Sequence, residues 1–343
     1  MDLPDGTIGT QPLYNKKNMM MRQLLCLLPL LLAACGNESD IPLTLAPTPT
    51  TMPLCVSNSC GQFIDIATIP DAENTLTTPS GRVFVSGGTG VFEIHRSGEA
   101  YTAEAIHDTA CNFAGLALRG DALYANCFDG RLYAARLTAS PKLQPIHDYG
   151  LASPNGLATG PDGALYLTNG PLASKPALPD AKIVRVVLDP ADPFKVLSQT
   201  DWLASGLTAP NGIAIRGSEL YITDSSLLPP EQGRIERILM GADGLPGERT
   251  LIATLPSIAD DLSVVGEGLL VSLFTQGRVA LVGFDGSILQ QTDALGLAFP
   301  SSVRLTSSPL FAPGDVLITQ KGIIGDNSSP YGNRLSILRP NAR

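Results

Sequence analysis

The stretch Ser153-Pro-Asn-Gly-Leu-Ala-Thr-Gly-Pro-Asp-Gly-Ala-Leu-Tyr-Leu-Thr-Asn-Gly170 has a close copy downstream, Ala209-Pro-Asn-Gly-Ile-Ala-Ile-Arg-Gly-Ser-Glu-Leu-Tyr-Ile-Thr-Asp224. Each copy reads as Pro-Asn-Gly, a short apolar strand, a tight turn and a Leu-Tyr strand. Internal repetition constrains a fold more than any single motif. Each repeat must be one supersecondary unit that buries its apolar face against its neighbours.

The same pattern occurs six times. The first strands begin at Glu73, Ala114, Asn155, Asn211, Asp260 and Ser301, each six residues before a turn element: Pro79, Gly120, Pro161, Gly217, Gly266 and Ser307. Second strands follow, such as Arg82-Val-Phe-Val85, Ala122-Leu-Tyr-Ala125 and Leu269-Leu-Val-Ser272. Third strands read Arg131–Leu137, Ile183–Val187, Arg234–Leu239, Arg278–Val282 and Arg334–Leu338, and an outer strand such as Leu251–Leu255 lies in each connection. Four strands at a period of roughly 40 to 55 residues predict an all-β chain, a six-bladed β-propeller with four-stranded blades. Phe63–Thr68 precedes the first repeat and is placed to add a strand to the last blade. A β-sandwich or β-helix does not suit a four-strand unit of this length.

The first strand of each blade lines the central channel, so the six starting positions converge on its axis. Glu73, Asn155, Asn211 and Asp260 then present two carboxylates and two amide oxygens at one mouth. These are hard donors suited to Ca²⁺, or to another divalent cation, with water completing the shell. No Cys or His joins them, which disfavours zinc. The net charge of −9, with 23 Lys+Arg, argues against nucleic acid as a partner.

The N-terminus reads as an export signal. Lys16 to Arg22 is basic, Leu24 to Leu32 is apolar but too short to span a bilayer, and Leu32-Ala-Ala-Cys35-Gly36 resembles a bacterial lipobox. That resemblance implies cleavage before Cys35 and its lipidation, with Met19, Met20 or Met21 as alternative starts. Gly36, by resemblance to enteric sorting rules, points to the periplasmic face of the outer membrane. The expected organisation is an extension and signal peptide over 1–34, a lipidated Cys and Pro/Thr-rich tether over 35–60, and the propeller over 61–343. Cys26 leaves with the signal. Cys55, Cys60, Cys111 and Cys127 remain, an even count in an oxidising compartment, expected as disulfides within Cys55/Cys60 and Cys111/Cys127.

At this point the chain resembles the six-bladed propellers of the gluconolactonase, regucalcin and paraoxonase type. The resemblance rests on Asp71-Ala-Glu73-Asn-Thr-Leu-Thr-Thr-Pro-Ser-Gly81, Pro154-Asn155-Gly-Leu, Pro210-Asn211-Gly-Ile-Ala and Asp260-Asp261-Leu-Ser-Val, and spans about residues 63 to 338. It implies an axial calcium held by Glu73, Asn155, Asn211 and Asp260, and hydrolysis of small lactones or esters. Asp261 matches a paraoxonase ligand position that is usually Asn. Ala114 stands where paraoxonases carry histidine, which points away from their histidine chemistry and toward the gluconolactonase mode. In that mode Asp260 or Asp261 acts as general base.

The three histidines, His95, His107 and His147, read as structural, and no Gly-x-Ser-x-Gly elbow occurs. The ends of the second strands place Asn169, Asp224, Phe274 and Gln320 near the metal-bearing mouth, with Asn169 and Asp224 as supporting groups. Loops 171–181, 225–233 and 321–333 are expected to shape the pocket. Two function classes follow: a calcium-dependent lactonase or esterase, and a non-catalytic envelope propeller that presents a face to a protein or glycan. A strictosidine-synthase-like propeller is a weaker third, because those proteins typically lack the metal carboxylates.

Overall fold

The computed structural model describes residues 54–107, 111–170, 180–227 and 230–342, and every regular element among them is a β-strand. The signal segment, Cys35 and the tether up to residue 53 lie outside the described residues. After β1 (Gly61–Thr68), blade one is β2 (Thr75–Thr77), β3 (Val83–Gly87), β4 (Gly90–Ser97) and β5 (Ala100–Ala105). Blade two is β6 (Phe113–Arg119), β7 (Ala122–Cys127), β8 (Arg131–Arg136) and β9 (Gln144–Asp148). Blade three is β10 (Pro154–Thr159), β11 (Leu165–Asn169), β12 (Lys182–Leu188) and β13 (Val196–Leu203). Blade four is β14 (Pro210–Arg216), β15 (Glu219–Ser226), β16 (Gln232–Met240) and β17 (Pro246–Leu255). Blade five is β18 (Ala259–Val265), β19 (Gly268–Leu273), β20 (Arg278–Gly283) and β21 (Ile288–Gln291). Blade six takes β22 (Pro300–Leu305), β23 (Val316–Gly322) and β24 (Gly332–Pro340) from the C-terminal part of the chain.

The six sheets are four-stranded, and the sixth is completed by β1 in the order β1-β24-β23-β22. β1 runs antiparallel to β24 from Gly61↔Pro340 to Thr68↔Arg334, so the segment around Phe63–Thr68 closes the ring as expected. The expected six-bladed propeller is the observed fold. The inner strand of each sheet pairs on one side only, so its other edge faces the axis, where it is short and shielded by the neighbouring first strands.

The core is divided among the blade interfaces. Phe84, Val91, Phe113 and Leu123 fill the contact between blades one and two. Tyr124, Leu132, Leu165 and Val184 fill that between two and three, and Tyr166, Trp202, Leu220 and Ile238 that between three and four. Tyr221, Ile235, Leu269 and Val271 join four to five, Leu270, Leu281, Val303 and Ile318 join five to six, and Ile66, Val85, Leu317 and Ile337 join six to one. The second strands are apolar on both faces because each lies between two neighbouring blades. The repeated Leu-Tyr pair exploits this. The rings of Tyr124, Tyr166 and Tyr221 are buried, while their hydroxyls reach Pro193 O, Asp162 and Glu219.

Val56 packs with Leu270 and Leu338, and its amide donates to Gln290 Oε1 at 2.9 Å, so the chain joins the propeller before β1. Both expected disulfides are present. Cys55–Cys60 closes a loop at that entry, and Cys111–Cys127 ties the lead-in of β6 to the end of β7.

Candidate metal centre

Five of the six first strands carry a register irregularity where the ring residue sits. It falls between Phe113 and Leu116, Pro154 and Leu157, Pro210 and Ile213, Ala259 and Leu262, and Pro300 and Ser302. An extra residue in one strand bends it and re-aims a side chain. Here the irregular positions include Ala114, Asn155, Asn211, Asp260 and Ser301. In blade one Glu73 and Asn74 precede β2, but the Glu73 amide still donates to Ser86 O at 2.9 Å.

Each ring residue is fixed by the blade before it. Ser86 Oγ donates to Ala114 O, Asn126 Nδ2 to Asn155 O, and Thr168 Oγ1 to Asn211 O. Thr223 Oγ1 donates to Asp260 O, Ser272 Oγ to Ser301 O, and Thr319 Oγ1 to Glu73 O. The circuit is complete. Four of the same hydroxyls also accept from the next residue of their own first strand: Asn74 N, Gly156 N, Gly212 N and Asp261 N. Sequence reasoning did not single out these donors. The signal was a polar residue repeating two places after a large apolar or aromatic residue of the second strand, as in Tyr166-Leu-Thr168 and Tyr221-Ile-Thr223.

The glycine of each Pro-Asn-Gly has a packing role. A Cβ at Gly156 would lie 2.3 Å from Asn211 O, and one at Gly212 would lie 2.6 Å from Asp261 Cα. Adjacent first strands approach too closely for any side chain at that place.

Glu73, Asn155, Asn211 and Asp260 are all buried. Asn211 Nδ2 donates to Asp260 Oδ1. Asp261 points its Oδ2 at Asn74 Nδ2 (3.1 Å) and Arg304 Nη2 (2.9 Å), and its Oδ1 is buried without a hydrogen-bond partner. Asn169 Oδ1 accepts from Ser153 N at 3.0 Å. Asp224 accepts from Thr208 N and Ala209 N and pairs with Arg234. These two groups therefore hold the backbone segments that lead into Asn155 and Asn211. Gln320 does the same for blade six, accepting from Ala298 N at 2.8 Å. Phe274 stacks on Phe299 at 5.0 Å. Of the three loops, residues 171–179 and 228–229 lie outside the described residues.

The residue not anticipated is Lys321. It is buried at the end of β23, its Nζ pairs with Glu73 Oε2, and it lies 3.1 Å from Asp71 Oδ1. Burial works against its charge, but Glu73 and Asp71 outweigh that and raise its pKa above the ordinary 10.5. Burial raises the Glu73 carboxyl, with Asp71 and Asp261 adding to it, even though Lys321 opposes the shift. Asp260 is pushed well above its ordinary 3.8, by burial first and then by the charge of Glu73.

Four buried carboxylates, Asp71, Glu73, Asp260 and Asp261, thus meet one ammonium and one guanidinium, leaving two formal negative charges. Neither cation pairs directly with Asp260. The donors are hard oxygens and the charge deficit is that of one divalent ion, so the residues fit calcium. Among the described residues, the tight group of three potential ligands is Cys111, Cys127 and Asp129, whose sulfurs are joined in the disulfide and offer no thiolate. The histidines lie away from the axis. His95 is on β4, His107 bridges to Leu143, and His147 is on the outer strand β9, bonded to Gln199.

No family model matches the sequence, and no curated protein matches it. Solved structures share the fold. A calcium-binding protein, regucalcin, from Agrobacterium tumefaciens is 17% identical, with TM-score 0.60 over 84% of this chain and 98% of that one. A candidate gluconolactonase is 18% identical, with TM-score 0.61 over 82% and 93%. A candidate glucose dehydrogenase from Thermus thermophilus is 18% identical, with TM-score 0.55 over 81% and 99%. At these identities the likeness concerns the propeller architecture.

Proposed function

We propose that the chain is a calcium-dependent hydrolase of small lactones or esters, held in the bacterial envelope by a lipid on Cys35. The observation that carries the reading is Asp260, a buried carboxylate on the axis with no cation of its own beside three further carboxylates. Glu73, Asn155, Asn211 and Asp260 would hold the ion, which when bound supplies a Lewis-acidic contact to the substrate carbonyl oxygen.

Asp260 is also the better base. Asp261 is already engaged by Arg304 and Asn74, whereas Asp260 has no cation paired to it. Asp260 takes a proton from a water whose oxygen bonds to the carbonyl carbon. The acyl C–O bond then breaks, and the proton passes to the departing alkoxide. Asn211, bonded to Asp260, holds that carboxylate in one orientation. One structural neighbour is named a calcium-binding protein and another a candidate gluconolactonase, which supports the ion and the lactone class respectively.

A second reading is a non-catalytic propeller that binds a protein or glycan. Lys321 favours it, because its pairing with Glu73 already neutralises one proposed ligand. A panel of lactones and aryl esters, assayed with calcium and with chelator, separates the two. Hydrolysis lost with chelator and in Asp260→Asn supports the enzyme. A panel that stays silent at every calcium level rejects it.

A further inference from the structure

Within the calcium reading, on which this inference rests, we infer that Lys321 is a resident cation that competes with the divalent ion for Glu73 and sets the affinity of the site. Its ammonium donates to Glu73 Oε2 and ion-pairs at 3.1 Å with Asp71 Oδ1, an oxygen with no hydrogen-bond partner, and both carboxylates are buried. An ion that takes Glu73 as a ligand must displace that ammonium.

Asp71 is built to receive the ammonium. It sits in the left-handed backbone region at φ 47°, a strained place for a residue other than glycine. Its amide donates to Asn333 Oδ1, and Asn112 Nδ2 lies 3.4 Å from its other oxygen. Asn333 is in turn fixed to Asp326 O and Ser329 O in the loop that joins Lys321 to β24. Asp71 therefore stays in place whichever partner Glu73 takes. With the ion bound, Lys321 falls back on Asp71. Without it, Lys321 spans both carboxylates and spares Glu73 an unpaired burial.

The residue pattern agrees. Two places beyond the ring-fixing residue of each second strand stand Gly88, Phe128, Gly170, Ser225 and Phe274 in the other blades. Blade six alone carries a cation there. The placement lowers ion affinity without removing a ligand, and gives a site that fills only at high free calcium, in the manner of extracellular modules.

The experiment is calorimetric titration of the full chain with CaCl₂, with thermal melting in calcium and in chelator as a second readout. One neighbouring charge shifts an ionic equilibrium by about ten- to a thousandfold. Lys321→Met should therefore bind calcium at least about tenfold more tightly than the parent. Its ion-free form should melt lower, and calcium should raise its melting temperature by more than the parent's. Lys321→Gln, which keeps polarity and loses charge, should do the same and guards against a packing defect. Asp71→Asn should weaken binding in the parent background but much less in Lys321→Met, since Asp71 acts by drawing the ammonium away. If the parent binds calcium and neither Lys321 variant binds it more tightly, the competition is overturned while the calcium reading stands. If neither parent nor variants bind calcium, both fall.

Discussion

The Thr319 hydroxyl donates to the Glu73 carbonyl at 2.8 Å and joins the last blade to the first across 246 residues of chain. It is one of six equivalent bonds, but the only one formed across the β1 closure. Its donor lies two residues from Lys321, and its acceptor belongs to the residue Lys321 grips. Thr319→Val keeps the shape and leaves that buried carbonyl without a donor. Its expected cost is about 1–3 kcal/mol. Urea denaturation should show the loss, and calcium titration should show weaker binding because Glu73 is no longer held. Unchanged affinity would mean that the bond serves stability alone.

Gly156→Ala should be poorly tolerated although the position has an ordinary backbone. The new methyl would meet Asn211 O at 2.3 Å, and overpacking of this kind costs about 1–3 kcal/mol. Gly266→Ala, with open space around the added methyl, serves as the control. Equal melting temperatures for the two variants would contradict the close strand approach.

Asp260 predicts a pH dependence of definite sign. Burial raises its folded pKa above the ordinary 3.8, so the ion-free folded state holds the proton more tightly than the unfolded chain. Its contribution is therefore favourable below about pH 3.8 and is lost as pH rises through the raised value. Asp260→Asn removes that loss. The variant should gain stability over the ion-free parent toward neutral pH, and the gain should shrink on acidification. It should also lose the calcium-induced rise in melting temperature. Melting both proteins in chelator across pH checks this, and a gain that grows on acidification contradicts the assignment.

The envelope anchor has its own test. Expressed in a bacterium with a lipoprotein pathway, the chain should fractionate with membranes, and mass spectrometry should find an acylated N-terminal Cys35. Cys35→Ala should move it to the soluble fraction. Recovery of the parent as a soluble, unacylated protein would reject the anchor.

The ring of Glu73, Asn155, Asn211 and Asp260 was legible because repetition supplied a ruler. The same six-residue distance to a turn in every blade put those residues in register. The outer strands and their closure by the segment around Phe63–Thr68 followed from the same period. The different surroundings of Asp260 and Asp261 were not legible. They depend on Arg304 and Asn74, which come from blades six and one and meet Asp261 of blade five only in three dimensions.

By itself, then, the sequence determined the blade count, the strand order and which residues stand at the start of each first strand, since these depend on local alternation and on a period that neighbours share. Tertiary structure alone decided what faces those residues. Lys321 is 248 residues from Glu73, and no periodicity relates them. Ring closure sets blade six against blade one. Only then does a lysine that reads as an ordinary strand end become a buried charge in an acidic site, where the low dielectric of the interior magnifies its effect.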